Sequence, residues 1–227
     1  MAYVTYVKTK RFSGILSVIH CRFLLHMKKL PPAFYEQEDV VHIARALLGK
    51  VLVTAWEGIR TSGRIVETEA YAGLHDKASH AYRGRTPRTA VLFDTSGAAY
   101  VYLCYGLHQM FNIATNKRGV PHAVLIRAVE PLEGISVMLQ RTGKKVLDSS
   151  LTRGPGNVGK AFGFHRSQSG LSLQSDTLFI ADDGYHLHAD AIGTSVRIGV
   201  AYAGADALLP YRFYIKGNPC VSGKQKT

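Results

Sequence analysis

Acid is scarce in this chain. Its 227 residues hold 16 Asp and Glu against 28 Lys and Arg, a formal charge of +12 and a pI near 9.7. Such a balance suits polyanions, either nucleic acid or an anionic membrane. Cysteine is scarce too: Cys21, Cys104 and Cys220 are odd in number, widely spaced and form no CxxC pair. That excludes a disulfide framework and a cysteine-rich zinc site, and it fits a reducing cytoplasm. Long apolar runs are lacking, since GILSVIHCRFLL is broken by His20 and Arg22 and is too short to span a bilayer. We therefore expect no membrane association. Internal repeats, low-complexity tracts and linkers are also missing, which points to one domain, and 46% hydrophobic residues suffice for a core.

Half of the basic excess is local. Lys8, Lys10, Arg11, Arg22, Lys28 and Lys29 fall within residues 1–35, which hold no acid. We read residues 1–30 as a basic extension, with Met27 a candidate alternative start, and residues 31–227 as the domain. A transit peptide is the less favoured reading of the extension.

Hydrophobic spacing organises the remainder. EQEDVVHIARALLG sets Val40, Ala44 and Leu47 on one stripe beside Val41 and Leu48, which predicts a helix with acids in its first turn and Gly49 as its stop. KVLVTAW (50–56) and RIVETEAY (64–71) read as strands joined across EGIRTSG. AAYVYLCY (98–105) and QMFNIAT (109–115) predict a second hairpin turning near Tyr105–His108, and HAVLIRAVE (122–130) a further strand. PLEGISVMLQRTG predicts a helix with Pro131 in its first turn and Gly143 at its end. GNVGKAFGF suggests a short helix, and TLFIA, VRIGVAY and RFYIKG late strands. Strands arriving in hairpins with few helical crossovers imply an α+β fold with a mainly antiparallel sheet.

The stretch GRIVETEAYAGLHDKASH (63–80) concentrates chemistry. In a strand, Ile65, Glu67, Glu69 and Tyr71 share one face, while Val66, Thr68 and Ala70 take the other. Carboxylates on a covered sheet are costly unless solvated, paired or used. Residues two apart on a strand lie roughly 7 Å from each other, a spacing compatible with acid/base work on a glycosidic bond. Pairing with Arg or Lys is the structural alternative. Tyr71, Tyr100, Tyr102 and Tyr105 crowd the two hairpins, and flat rings beside a carboxylate suit a flat ligand, although strand tyrosines commonly just pack. Tyr105 stands at a hairpin tip before Gly106 and Leu107, and proteins that bend DNA push such side chains between base steps.

Two other patterns lead elsewhere. His75, Asp76 and His80 have the wrong spacing for one metal. GPGNVGK (154–160) satisfies two phosphate-loop patterns but lacks a preceding hydrophobic strand and a Ser or Thr after Lys160. A P-loop nucleotide-binding protein is thus a minor alternative, and a glycine-rich helix start near a DNA phosphate fits better. A basic surface, a wedge, a general base and an aromatic pocket together describe an enzyme that extracts a nucleotide and cuts its glycosidic bond.

At these residues the chain resembles the alkyladenine (3-methyladenine) DNA glycosylase family. The similar motifs are GRIVETEAY (63–71), His80, TPR (86–88), YVYLCYG (100–106), FNI (111–113), IRAVEPLEG (126–134), GPG (154–156), RIGV (197–200) and RFYIKGNPCVS (212–222), in family order. The resemblance implies a single α+β domain with a curved, mainly antiparallel sheet, flanking helices and a protruding β-hairpin that inserts into DNA. It implies a monomer acting on double-stranded DNA that contains damaged purines, with neither metal nor cofactor. Glu69 matches the general base that activates water, and Arg127 and the main-chain carbonyl at Ile198 match the other groups holding that water. Tyr71, His80 and Tyr102 match the walls around the flipped base, Ala78 the backbone at its edge, and Asn112 the amide that clashes with the amino group of normal guanine. Tyr105 matches the wedge. Leu107, Arg85 and Arg88 join it as DNA-binding candidates, and a bacterial protein of this kind would associate with the nucleoid. Asn157 departs from a usual lysine, His108 and Gln109 alter the wedge tip, and the loop AYRGRTPR is one residue shorter than in mammalian members. A catalytically silent DNA-binding relative is the main alternative, and would be expected to lack Glu69 or Arg127.

Overall fold

A computed structural model describes residues 27–223 and 225 of the chain, so most of the basic extension lies outside the described residues. Glu57 and Gly58, with φ of 53° and 77°, make the tight left-handed turn that twisted antiparallel strands favour. It joins β2 (Val51–Trp56) to β3 (Ile59–Tyr71), paired from Trp56 and Ile59 back to Val51 and Arg64. The hairpin turns in two residues, so the segment IRTSG, expected as connection, is strand. Its glycine serves packing: a Cβ on Gly63 would meet Val129 Cγ1 at 2.4 Å and the Glu130 carbonyl at 2.7 Å. Only glycine lets β3 approach β6 (His122–Glu133) so closely there.

The sheet follows the path β1 (Lys28–Lys29), β7 (Leu178–Asp182), β2, β3, β6, β5 (His108–Thr115) and β4 (Ala98–Cys104). β8 (Ile192–Ser195) pairs with β9 (Arg212–Ile215), which joins β3. All these pairings are antiparallel and the sheet curls, giving the expected α+β domain. β2 covers one edge of β3 early and β9 covers that edge at Glu67–Glu69, while β6 runs along the other. The strand with both glutamates is thereby hydrogen-bonded on each side.

Among the described residues, five short α-helices flank the sheet: α1 (Pro32–Tyr35), α2 (Val40–Ala46), α3 (Ala90–Asp94), α4 (Ile135–Thr142) and α5 (Pro155–Ala161). Asp39 accepts from the N–H groups of Val41 and His42 at 2.8 and 3.1 Å, which sets the start of α2. α2 buries Val40, Ile43 and Ala44 against the face of β3 where Thr68 Oγ1 donates to the Ala44 carbonyl at 2.8 Å. The helix is shorter than its sequence pattern because the preceding acids lie outside the cap.

Two other expectations need correction. Pro131 belongs to β6, and α4 begins only after Gly134, whose φ is 73°. VRIGVAY is not a strand: Gly199 takes a φ of 80°, a 3₁₀ segment follows at Ala201–Leu208, and the strand lies upstream at Ile192–Ser195. In GPGNVGK, Gly156 and Gly159 serve close packing of α5 on β5, and Gly154 takes a φ of 87° before the helix. A Cβ on Gly159 would sit 1.8 Å from the Gln109 carbonyl oxygen, and one on Gly156 would sit 2.7 Å from His108 Nδ1. At the N-terminal edge, Lys28 and Lys29 pair with Asp182 and Ala181, and Leu30 is buried.

Candidate active site

Two irregularities in the β3–β6 register make the site. Ile65 faces Val129 and Glu67 faces Ala128, so Val66 is extra; Thr68 then faces Ile126, which leaves Arg127 unmatched. Bulges re-aim side chains, and Arg127 reaches both glutamates. Its Nε donates to Glu67 Oε1 at 3.0 Å and its Nη1 to Glu69 Oε2 at 3.1 Å.

The two carboxylates differ in what remains free. Glu67 is fully buried; its Oε1 accepts from Arg127, from Arg212 Nε at 2.7 Å and from Ser222 Oγ at 2.9 Å, and its Oε2 from the Ser222 N–H at 2.7 Å. An ionised carboxylate has about four acceptor positions, and Glu67 meets four donors, three of them crowded on Oε1 and one on Oε2. Glu69 is equally buried. Its Oε1 accepts from the Ile198 N–H at 2.8 Å, and its Oε2 from Tyr71 OH at 2.9 Å and from Arg127. One acceptor position on Oε1 is left for a further donor. Ile198 makes this contact by its N–H; its carbonyl, expected to hold the water, is a separate group.

Burial pushes the Glu69 carboxyl above its ordinary range, and Glu67 adds to this, while Arg127, the Ile198 N–H and Tyr71 pull against it. Burial and the neighbouring Glu69 raise the Tyr71 phenol, which keeps it a donor.

Beside this cluster lies an aromatic cavity. Tyr71, Ala78, His80, Tyr102 and Asn112, all expected at a pocket, line it together with Ser79, Leu92, Tyr100, Ala123 and Tyr202. It opens into a wider groove along Arg88, Tyr105, Met110, Arg127 and Ile198. Glu69 lies beneath this wall, behind its partners Tyr71, Arg127 and Ile198. His80 Nδ1 and Tyr100 OH are hydrogen-bonded at 2.9 Å, and the His80 and Tyr102 rings meet edge-on at 4.5 Å. Burial, and then the charge of Arg88, lower the His80 pKa from 6.5 to about 4, so its ring is neutral near pH 7. The Asn112 amide donates to the carbonyls of Tyr100 and Met110 at 3.2 and 3.3 Å, which fixes it against the β4–β5 pair. The Ala78 carbonyl accepts from Tyr202 OH at 3.0 Å.

The β4–β5 hairpin closes from Cys104 to His108. Tyr105 and Gly106 at its tip take φ of 50° and 70°, and Tyr105 and Leu107 are 89% and 79% exposed. A tyrosine held in a left-handed conformation with its ring in solvent is strained without any packing return. Arg88 lies 5.0 Å over the Tyr102 ring, at the cavity mouth. Arg85 instead pairs with Asp94 at 2.7 Å, on the surface. Asn157 is held by the carbonyls of Ser150 and Arg153 at 3.2 and 2.8 Å.

Several participants escaped sequence reasoning. Arg212 and Ser222 supply three of the four donors on Glu67, and Tyr202 lines the cavity from a segment expected to be strand. Asp76, weighed as a metal ligand, is instead bound by Arg197 at 2.8 Å. One signal was available: two buried glutamates demand at least two buried cations, and Arg212 sits in the strand pattern RFYI.

Known proteins resemble this chain over most of its length. The methylpurine-DNA glycosylase (MPG) family matches residues 33–219. A protein of Clostridium acetobutylicum named "Putative 3-methyladenine DNA glycosylase" is 44% identical over 206 residues, covering 87% of this chain and 99% of its own. Proteins of the same name from Bacillus cereus and Bacillus cytotoxicus are 46% and 44% identical over 203 residues, covering 86% of this chain and 98% and 99% of theirs.

Proposed function

This chain belongs to the methylpurine-DNA glycosylase family and is a DNA glycosylase that hydrolyses N-glycosidic bonds in base-excision repair; we propose that Glu69 is its general base, acting on a damaged purine flipped out of duplex DNA. One observation carries this assignment. Of two adjacent buried carboxylates, Glu67 is held by four donors, three of them from Arg212 and Ser222 away from the groove, whereas Glu69 meets three donors, all from residues that line the groove.

In this reading a water bound at Glu69 Oε1 loses a proton to the carboxylate as its oxygen attacks C1′ of the flipped nucleotide. The glycosidic bond breaks, its electron pair leaves with the purine, and an abasic site remains. Alkylated purines of the 3-methyladenine type carry a positive charge and leave as neutral bases, so they ask little of an acid catalyst. Arg127 and Ile198 border the groove and hold the carboxylate on the attack side. Tyr71, Tyr102 and a neutral His80 supply flat walls that add no charge repelling a cationic ring. Asn112, pinned against β4 and β5, would clash with the amino group of normal guanine, and Ala78 would meet the base edge.

The exposed Tyr105 at the hairpin tip would fill the space left in the duplex, with Leu107 beside it and Arg88 near the backbone. Arg85 would bind a phosphate only by giving up Asp94. We expect a monomer, cytoplasmic and associated with the nucleoid through DNA if its source is bacterial.

The test is release of base from duplexes bearing 3-methyladenine, hypoxanthine or ethenoadenine, read by alkaline cleavage at the abasic product. Glu69→Gln should release base about two to four orders of magnitude more slowly, and Glu67→Gln should retain most activity per folded molecule. Base release by Glu69→Gln at the wild-type rate would refute the assignment.

A further inference from the structure

Arg197 and Asp76 make no contact with the proposed substrate path, yet they join the segments that form it. Both side chains are buried, at 0% and 1% exposure. Arg197 Nη1 donates to Asp76 Oδ2 at 2.5 Å and to the Ala70 carbonyl at 2.9 Å. Its Nη2 donates to Asp76 Oδ1 at 2.8 Å and to the Asp206 carbonyl at 3.0 Å. The Asp76 carboxylate also accepts from the N–H groups of Ala72 and Ala78 at 3.1 and 3.0 Å. The guanidinium lies 4.8 Å from the centre of the Tyr71 ring.

Each contact adjoins a site group. Ala70 precedes Tyr71, the peptides of Ala72 and Ala78 bracket the loop that leads to His80, and Arg197 precedes Ile198. Apart from Arg127, the donors on Glu69 are Tyr71 OH and the Ile198 N–H. One guanidinium holds both: the first by its flat face, the second through the next peptide. Lysine offers neither the fork nor the face.

We propose that the Arg197–Asp76 pair is the positioning device of the catalytic carboxylate, holding Tyr71 OH and the Ile198 N–H on Glu69 and clamping the loop before His80 to the pocket. The proposal rests on Glu69 being the base. A buried ion pair can instead serve stability alone. The two roles move different observables. Loss of a stabiliser lowers the folded fraction, whereas loss of positioning changes the pH at which folded enzyme acquires its base. The groups that act on Glu69 are Glu67 and Tyr71 on β3, Arg127 on β6, the Ile198 N–H, and Arg197 and Tyr202 from the C-terminal segment. Replacing Arg197 by lysine keeps a positive charge but loses the fork and the flat face, which loosens two donors to the anion. Both losses favour the protonated carboxyl.

The experiment is single-turnover base release at saturating protein over roughly pH 5 to 9, with Arg197→Lys, Asp76→Asn, Tyr71→Phe and the double variant Arg197→Lys/Tyr71→Phe. Active enzyme is counted by circular dichroism and by lesion-DNA binding. In Arg197→Lys the rate at neutral pH should fall about tenfold to a hundredfold. The midpoint of its acid limb should rise, and KM for DNA should stay within about threefold. Asp76→Asn should shift the limb in the same direction by less, and the double variant should lose no more than its worse single, because both act through one bond. An unshifted acid limb in folded Arg197→Lys, or failure of both Arg197→Lys and Asp76→Asn to fold, overturns the proposal in favour of a stabilising pair. Glu69→Gln separates the premises: if it stays active the base assignment fails. If it is dead and Arg197→Lys keeps the wild-type limb, only the positioning role fails.

Discussion

Exchanging each glutamate for glutamine should separate stability from catalysis at a single strand. Glu67 meets two guanidiniums and both the N–H and the hydroxyl of Ser222, and every donor in that set is buried. In Glu67→Gln one oxygen becomes an NH₂ group and faces donors, while Arg127 and Arg212 share one fewer buried anion. Removing one member of a buried pair costs about 3–5 kcal/mol. A domain of this size loses about 2–4 °C in Tm per kcal/mol, so the midpoint should fall by roughly 6–20 °C. Glu69→Gln should behave in the opposite way. Its carboxyl is already disfavoured as an anion by burial, so a neutral amide relieves desolvation while it loses the Arg127 attraction, and Tm should change little. Base release should fall by about two to four orders of magnitude, the usual contribution of a general base. The assay pairs thermal unfolding with single-turnover cleavage at a temperature where both variants are folded. A stable but inactive Glu67→Gln beside an unstable but active Glu69→Gln would reverse the assignment, since it would make Glu67 the carboxylate that activates water.

Other expectations follow from particular contacts. Tyr105→Ala should weaken lesion recognition more than non-specific DNA binding, and cut turnover on a well-paired lesion by about tenfold or more, because unstacking costs a few kcal/mol. Equal 2-aminopurine signal and equal turnover in this variant would show that the tip stays out of DNA. His80 is held near pKa 4 against 6.5 unfolded, so between those values the unfolded chain takes up a proton that the native chain refuses; stability falls as pH drops from 6.5 to 4, by at most about 3 kcal/mol. His80→Phe should flatten that part of the Tm–pH curve, and an unchanged slope would place the titration elsewhere. Gly159→Ala puts a methyl 1.8 Å from the Gln109 carbonyl, so α5 must lift off β5. A loss of about 1–3 kcal/mol is expected in urea unfolding, and full stability would mean that the helix has slack. Deletion of residues 1–26 should leave specific activity nearly intact, because the site groups all lie downstream; a folded but inactive product would make the basic segment part of the DNA-binding surface.

The α+β fold was legible because its hairpins are written in local pattern: alternation in VLVTAW and VETEAY, a break at Gly106, and stops at Gly49 and Gly143. The misreadings share one cause, which is that glycine and proline punctuate for tertiary reasons as well as local ones. Gly63 looks like turn composition, but it is the only residue type that lets β3 lie against Val129 and Glu130. Pro131 looks like the first turn of a helix and instead sits in β6, opposite Gly63. VRIGVAY has strand composition, yet Arg197 is drawn to Asp76, 121 positions away, and Gly199 turns left-handed, so the chain leaves the sheet.

The site divides in the same way. Alternation put Glu67 and Glu69 on one face, and both do reach Arg127, although through bulges that no alternation reveals. It could not say which carboxylate is free to act, because that depends on donors 129 to 155 positions away. Arg212 and Ser222 supply three of the four donors on Glu67, whereas Ile198 supplies one of the three on Glu69. The discriminating quantity is a count of donors and of which ones line the groove, and it exists only once the C-terminal segment has folded back over β3. It follows that a change in that segment, such as one at Arg197 or Ser222, should alter catalysis at Glu69 with no substitution in the strand that carries it.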